Sequence, residues 1–175
     1  MTGGNLISTL LGGILAIAGG ISTQAARYYL KERRTRRAVA GALAGEISAI
    51  CSIARRRDYL GGMREILDQV HKSGRPDRPR ISVSQDYLQI YRSDAGSIGL
   101  LPPEITEDVV VFYTHVKSPI EDVLPTAPNP PDAASAERLV QEQMTLLGDT
   151  LRLGDDLIAR LRHLTGGHAR WAKPI

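Results

Sequence analysis

The stretch NLISTLLGGILAIAGGISTQAARYYLKERRTRR, residues 5–37, decides the fold of this 175-residue chain. No side chain among residues 1–26 is charged. A helix rises about 1.5 Å per residue, so residues 6–26 would cover about 30 Å, the thickness of the hydrocarbon core of a bilayer. Three interpretations are open at this point: a cleaved signal, a buried helix of a soluble protein, or a membrane span.

The charges that follow this stretch favour the span. A secretory signal has positive charge before its apolar segment, whereas here the cations come after it. A buried soluble helix would leave six adjacent cations unexplained. Cations beside a span stay in the cytoplasm, so we predict a retained single-pass span over residues 1–26, with its N-terminus outside. The cations, called the cation collar, are Arg27, Lys31, Arg33, Arg34, Arg36 and Arg37.

The residues at the end of the span fit the membrane interface. Tyr28 and Tyr29 lie where amphipathic aromatic rings anchor a helix at the level of the headgroups. The collar, besides fixing the topology, is expected to contact anionic lipid headgroups, at about 1 kcal/mol for each cation near the surface. The lipid bilayer is therefore the first predicted partner.

The span itself is only weakly apolar, which points to association with other helices. Its eight Leu and Ile residues between positions 6 and 21 contribute about −4 kcal/mol to insertion, and glycines offset part of this. Small residues recur every four positions, and such stripes let two helices approach closely in lipid. We predict a homo-oligomer, although glycine is also simply common in spans. The stripe consists of Ser8, Gly12, Ala16 and Gly20.

Beyond the span the sequence predicts an all-α fold. Aromatic residues are scarce, at 5% of the chain, and apolar residues recur at spacings of three and four, which is typical of helices. Pro103 is placed as a first helical residue and Asp132 as an N-cap. Short connectors favour an antiparallel cytoplasmic bundle of about three helices.

The predicted segments are bounded by changes in this spacing and by prolines. Gly61-Gly62 mark a kink or break, and Pro119 bends or divides its helix. The last helix has leucines along one stripe, at positions 139, 146, 153, 157, 161 and 164. The segments are a basic juxtamembrane helix (27–71), a basic loop with a short helix (72–102), a helix (103–124), a Pro-rich connector (125–132), a C-terminal helix (133–165) and a tail (166–175).

Charge is unevenly distributed although the chain has a net charge of only +3. Residues 27–80 have a balance of +8, and residues 81–175 a balance of −5. This polarity indicates that one end faces an anionic surface and that the other presents acidic helices elsewhere. A soluble protein partner for the acidic part is therefore expected.

The stretch YRSDAGSIGLLPPEITEDVVVFYTHV, residues 91–116, resembles a group of short bacterial proteins without an assigned role. In that group a span precedes a basic helix, a turn containing Tyr, an Ile-Gly-Leu-Leu segment and a helix ending in Phe-Tyr. The resemblance implies a bacterial or phage source, a membrane-anchored helical fold and hence the bacterial inner membrane. It implies no activity and no functional residues.

No pattern of reactive residues points to catalysis. The single Cys51 has no partner at a spacing typical of a thiol enzyme, and the four histidines show no metal-ligand spacing. We therefore predict no enzyme activity, no catalytic residues, no metal and no cofactor. Arg55–Arg57 and the basic loop 75–80 have no aromatic platform beside them, so nucleic acid is disfavoured as a partner.

Two functional hypotheses remain from these observations. The first is a membrane-anchored, non-enzymatic interaction or scaffold protein that self-assembles through its span. The alternative is an oligomeric membrane-perturbing or pore-forming effector of the phage-lysis or bacterial-defence type. Its polar path would be lined by the small polar residues of the span, which are Ser8, Thr9, Ser22, Thr23 and Gln24. The absence of a charged residue at mid-span argues against this alternative.

Overall fold

A computed structural model of the chain describes the backbone of residues 3–74, 88–93, 95–122 and 130–166, and the side chains of these residues apart from 3–23 and 119–122. All regular secondary structure in these ranges is helical, as the sequence predicted. The elements are α1 (Gly3–Arg56), α2 (Tyr59–Ser73), α3 (Gln89–Ser93), α4 (Ala95–Ile98), α5 (Pro103–Asp122) and α6 (Ala133–Leu164).

Helix α1 is a single rod of 54 residues, which corresponds to a length of about 80 Å. It contains the whole apolar N-terminal stretch, the cation collar and the first part of the packed region without interruption. No proline occurs in this helix, and its glycines are tolerated within it. The N-terminal stretch and the rest of the chain are therefore joined by continuous helix.

The long helix predicted over residues 27–71 is divided in the structure, and the break lies at Arg57 and Asp58. Asp58 adopts a left-handed conformation with φ of 46°, and its carboxylate accepts a hydrogen bond from the backbone N–H of Gly61 at 3.2 Å. Asp58 thus ends one helix and caps the next. Gly61 and Gly62 lie in the first turn of α2, where the Asp58 carboxylate occupies the space that a side chain at Gly61 would need.

Helix α6 is the central element, because α1, α2 and α5 all pack against it. It runs antiparallel to α1. Near one end of the contact Gly41 lies close to Thr165, and near the other Arg55 contacts Asp155 at 2.6 Å. Farther along, α2 also lies against α6 and runs antiparallel to it, with His71 Nε2 at 3.0 Å from Glu137 Oε1.

Helix α5 also runs antiparallel to α6, and the two are joined by an ion pair. Arg160 Nη1 lies 2.6 Å from Asp108 Oδ2 and 2.8 Å from Asp156 Oδ2. The two hydrogen bonds raise the pKa of Arg160. Because both α1 and α5 are antiparallel to α6, they run in the same direction.

The core lies where α1, α5 and α6 meet, and Gly154 marks their closest approach. A Cβ atom at this position would lie 2.5 Å from Cys51 Sγ and 2.9 Å from Phe112 Cε2, so only glycine fits without a shift of its neighbours. Burial raises the pKa of the Cys51 thiol to about 11. The other fully buried large residues are Leu43, Ile47, Val70, Val109, Val140, Leu157 and Leu161.

Local signals explain where α5 and α6 begin. Pro103 is the first residue of α5, and the carbonyl of Pro102 accepts hydrogen bonds from the N–H groups of Ile105 and Thr106 at 3.0 and 2.9 Å. Asp132 is the N-cap of α6, since its Oδ1 accepts from the N–H of Ser135 at 2.7 Å. This hydrogen bond lowers the pKa of Asp132. Helix α5 continues through Pro119 to Asp122, so the proline does not divide it.

Candidate membrane-facing site on helix α1

The part of α1 just before the packed region has no partner among the described residues. Every residue from 24 to 31 is exposed, and Tyr28 and Tyr29 have exposed fractions of 71% and 64%. Leu30 is 52% exposed. Three consecutive large side chains, two aromatic and one aliphatic, thus stand in the open on a helix that becomes buried only from Val39 onward.

The cation collar begins in this part of the helix and continues to Arg37. Successive residues turn by about 100° around a helix axis, so Arg27, Lys31 and Arg34 share one side and Arg36 lies opposite. Arg33 and Arg37 lie between these two sides. Both lie on the same flank, so the six cations cover about 220° of the helix circumference. A helix that lies flat on a membrane separates its cations onto one face, whereas this wider distribution suits a helix that passes through the headgroup layer.

The packed helices begin where the collar ends. Arg36 is half-exposed and pairs with Glu32 on the same helix at 3.5 Å. The guanidinium of Arg37 lies beside Gly166, with Nη2 3.5 Å from the position that a Cβ atom would take there. Gly166 follows the C-terminal end of α6, and a cation is favourable near that end of a helix dipole. Arg27, Lys31, Arg33 and Arg34 are left exposed above this junction.

Length and composition alone allow one helix in the described side-chain region to cross a membrane. It is the Gln24–Arg56 part of α1, whose most apolar 18-residue window has a mean hydropathy of 1.4 and is 39% buried. Residues 39–54 of this part have seven buried apolar side chains against the other helices, and a core helix passes the same test. The apolar character of this part is therefore explained by packing, and the predicted span depends on residues 6–26.

The predicted self-association stripe lies outside the described side chains. The backbone at Ser8, Gly12, Ala16 and Gly20 is helical, so the spacing of four places them along one gently turning line. Their contacts are not among the described features, and self-association through them stays a prediction.

A polar contact that the sequence did not predict attaches the connecting segment to α1. The Glu46 carboxylate accepts hydrogen bonds from the backbone N–H groups of Ile90 at 2.7 Å and of Tyr91 at 3.1 Å, at the start of α3. It also accepts one from the Tyr113 hydroxyl at 2.5 Å. The rings of Tyr91 and Tyr113 stack with their centroids 4.0 Å apart.

Burial, followed by the hydrogen bond to Glu46, raises the pKa of Tyr113 far above its ordinary value. Tyr113 therefore stays a hydrogen-bond donor at every physiological pH, and the Glu46 carboxylate links α1, α3 and α5. The only available sequence signal was a lone acid within the Ala-rich and Gly-rich run of residues 38–50.

Comparisons of the chain with protein-family models, with curated proteins and with solved structures found no match. The function is therefore argued from the geometry of the chain itself.

Proposed function

We propose that this protein is a membrane-anchored, non-enzymatic interaction protein that self-assembles through the N-terminal part of α1 and presents in the cytoplasm a helical bundle in which α1, α2 and α5 pack against α6. One observation carries the proposal. An uncharged helical stretch long enough to span a bilayer continues, without a break, through an exposed section and the cation collar into the packed helices.

The physical argument follows the order of environments along α1. Residues 6–26 have the length and neutrality that hydrocarbon requires. The exposed tyrosines come next and suit the interface, and the collar suits the anionic headgroups and the cytoplasmic side. Core packing begins only about ten residues later. The sequence of environments matches a helix that leaves a membrane and enters a folded domain.

The distal helices supply a surface for a soluble partner. Residues 81–175 have a charge balance of −5. Most acids of α6 are exposed, although Asp149, Asp155 and Asp156 are each paired with an arginine. Within the proposal, a homo-oligomer would display several copies of this acidic surface at one place on the inner membrane of a bacterial cell. A partner of positive charge would be recognised by electrostatic complementarity.

The orientation can be tested with single cysteines in a Cys51→Ala background. A membrane-impermeant maleimide applied to intact cells should label Thr2→Cys and should not label Ala134→Cys, whose position on α6 is exposed. After lysis both variants should react. Labelling of Ala134→Cys in intact cells, or recovery of the full-length chain in the soluble fraction, would overturn the proposed topology.

Self-association can be tested by blocking the stripe. Gly12→Leu with Gly20→Leu should shift the purified full-length protein in lipid nanodiscs or mild detergent towards the monomer, because bulky side chains prevent close approach of two helices. The matched control is Ala18→Leu with Ala25→Leu, which adds apolar side chains on the opposite side of the helix. An unchanged oligomer in the stripe variant, or equal loss in both variants, would refute this interface.

A further inference from the structure

A groove of about 450 Å³ runs between the last two turns of α1 and the C-terminal half of α6. Its apolar side, called the floor, is lined by Cys51, Ile158 and Ala159, of which Cys51 is buried and Ala159 is exposed. Its walls are polar, with Ser48, Ser52, Arg55 and Arg56 from α1 and Asp155 and Arg162 from α6. The volume lies within the range of small-molecule sites, about 300–1,000 Å³.

The charge of this groove is positive and only partly neutralised. Three arginines line it against a single acid. Arg55 pairs with Asp155 at 2.6 Å, whereas Arg56 and Arg162 have no ion pair within the described part of the chain. By contrast, Arg160 on α6 is paired with both Asp108 and Asp156. Two guanidinium groups at one groove thus remain available to an anion.

Hydrogen-bond donors lie between these cations. Ser48 and Ser52 are four residues apart, so both hydroxyls lie on the same face of α1, towards the groove. Both residues are half-buried, and neither hydroxyl has a hydrogen-bond partner among the described residues. Guanidinium forks and hydroxyl donors are the groups that proteins use to hold phosphate oxygens.

We propose that this groove binds a small soluble molecule that has a phosphate group, with the phosphate between Arg56 and Arg162 and the rest of the molecule against the apolar floor. The bound phosphate competes with Asp155 for Arg55. This site goes beyond the proposed membrane anchoring and gives the cytoplasmic helices a ligand of their own.

A free phosphate compound fits this position better than a lipid headgroup does. Arg55 is 29 residues beyond Ala26 on one continuous helix, which corresponds to about 44 Å. If the span ends near Ala26, the groove lies far below the headgroup layer and several Debye lengths from its charge. The preference for a free phosphate compound rests on the proposed membrane topology. The use of nanodiscs with and without anionic lipid distinguishes a free phosphate ligand from a lipid headgroup.

Binding can be measured on the full-length protein in nanodiscs of phosphatidylcholine, with mant-labelled ADP as the probe and fluorescence anisotropy as the signal. Saturable binding that inorganic pyrophosphate displaces is expected. Arg56→Gln and Arg162→Gln should each weaken it about tenfold, because each removes a charged donor. Asp155→Asn should strengthen it by removing the competing carboxylate, a gain that a merely structural role would not produce.

The matched control is Arg152→Gln, since this exposed α6 arginine pairs with Asp149 and does not line the groove. Its affinity for the probe should equal that of the wild type. Absence of saturable binding, or equal loss in Arg152→Gln and Arg162→Gln, would overturn the proposal. Suppression of probe binding by nanodiscs containing phosphatidylserine would assign the groove to lipid headgroups and overturn it as well. Failure of the chain to enter nanodiscs at all would instead count against the membrane anchoring.

Discussion

Two parts of the same helix have opposite environments. Residues 24–31 of α1 are exposed on all sides, whereas Leu43 and Ile47, three to four turns later, have no accessible surface. The Gln24–Arg56 part of α1, which contains both, passes a hydropathy test as a whole. The apolar stretch before the collar differs from the packed part in its pattern of polar residues. In residues 39–54 buried apolar positions alternate with exposed positions at helical spacing, whereas residues 6–26 contain no charged residue.

The number of faces that must be apolar distinguishes a core helix from a membrane span. A core helix needs only one apolar face, because its other face meets water or other polar groups. A span needs all of its faces to tolerate lipid or a neighbouring span. Mean hydropathy adds both faces together and loses this information. The periodicity of the polar residues preserves it.

The largest expected effect tests the proposed lipid-facing part of α1. Two arginines at the centre of a span cost about 5–7 kcal/mol, more than the roughly 4 kcal/mol that the apolar residues contribute. Leu11→Arg with Leu15→Arg should therefore release the protein from carbonate-washed membranes. Ala38→Arg with Ala49→Arg, at exposed positions of the packed part, should leave it bound. Equal retention of both variants would remove the distinction between the two parts.

An intermediate loss of stability is expected from a substitution at Gly154, where α1, α5 and α6 meet. Gly154→Ala would place a Cβ atom against Cys51 and Phe112, so thermal or denaturant unfolding should show a loss of about 1–3 kcal/mol. The matched control, Gly148→Ala, meets nothing within 4 Å and should be neutral or stabilising by up to about 1 kcal/mol. Adding Cys51→Ala to Gly154→Ala should recover part of the loss.

If Gly154→Ala were as stable as Gly148→Ala, the close approach of α1, α5 and α6 would be wrong. Membrane retention should not change in either glycine variant, since both act on the packed part only.

The smallest expected effect is a change of stability with pH, which arises because the Cys51 thiol is buried. Its pKa is raised to about 11, so its contribution to stability is fully present below the pKa of an unfolded thiol and is lost as the pH rises through the folded value. The difference in unfolding free energy between wild type and Cys51→Ala should fall by about 1 kcal/mol between pH 9 and pH 10. A constant difference over this range would show that the thiol is not buried.

The sequence predicted those features that depend on local chemistry. Helical periodicity placed five apolar residues of α1 on one face, and four of them are buried whereas Ile50 is half-buried. The buried four are Val39, Leu43, Ile47 and Ala54. The proline and aspartate signals identified the starts of α5 and α6, because a first-turn proline and an N-cap act on their own helix. These features depend on residues that are neighbours in the sequence.

Features that depend on contacts between distant segments were not predictable in the same way. The leucine stripe on α6 contains Leu157 and Leu161, which are fully buried, but its other members are only half-buried. Small residues occupy several other buried positions, because α6 is contacted on more than one side by α1, α2 and α5. They are Ala136, Thr150 and Gly154.

The groove between α1 and α6 and the exact position of the break after α1 were also not predictable from sequence spacing alone. Arg162 joins Arg55 and Arg56 only through the antiparallel alignment of α1 with α6, and one sequence without that alignment cannot bring them together. The paired glycines suggested a break at 61–62, whereas the left-handed Asp58 places it earlier.

The unbroken α1 also has a mechanical consequence. If residues 6–26 lie in a bilayer, as proposed, Arg55 is about 44 Å away along the same helix, which then acts as a lever arm. A change of 10° in the tilt of the membrane end would move the far end by about 8 Å, well within the range of tilts that membrane helices adopt. Under the proposed topology, a change in bilayer thickness or in assembly state would move the groove between α1 and α6 with the helix, because α1 is continuous from Gly3 to Arg56.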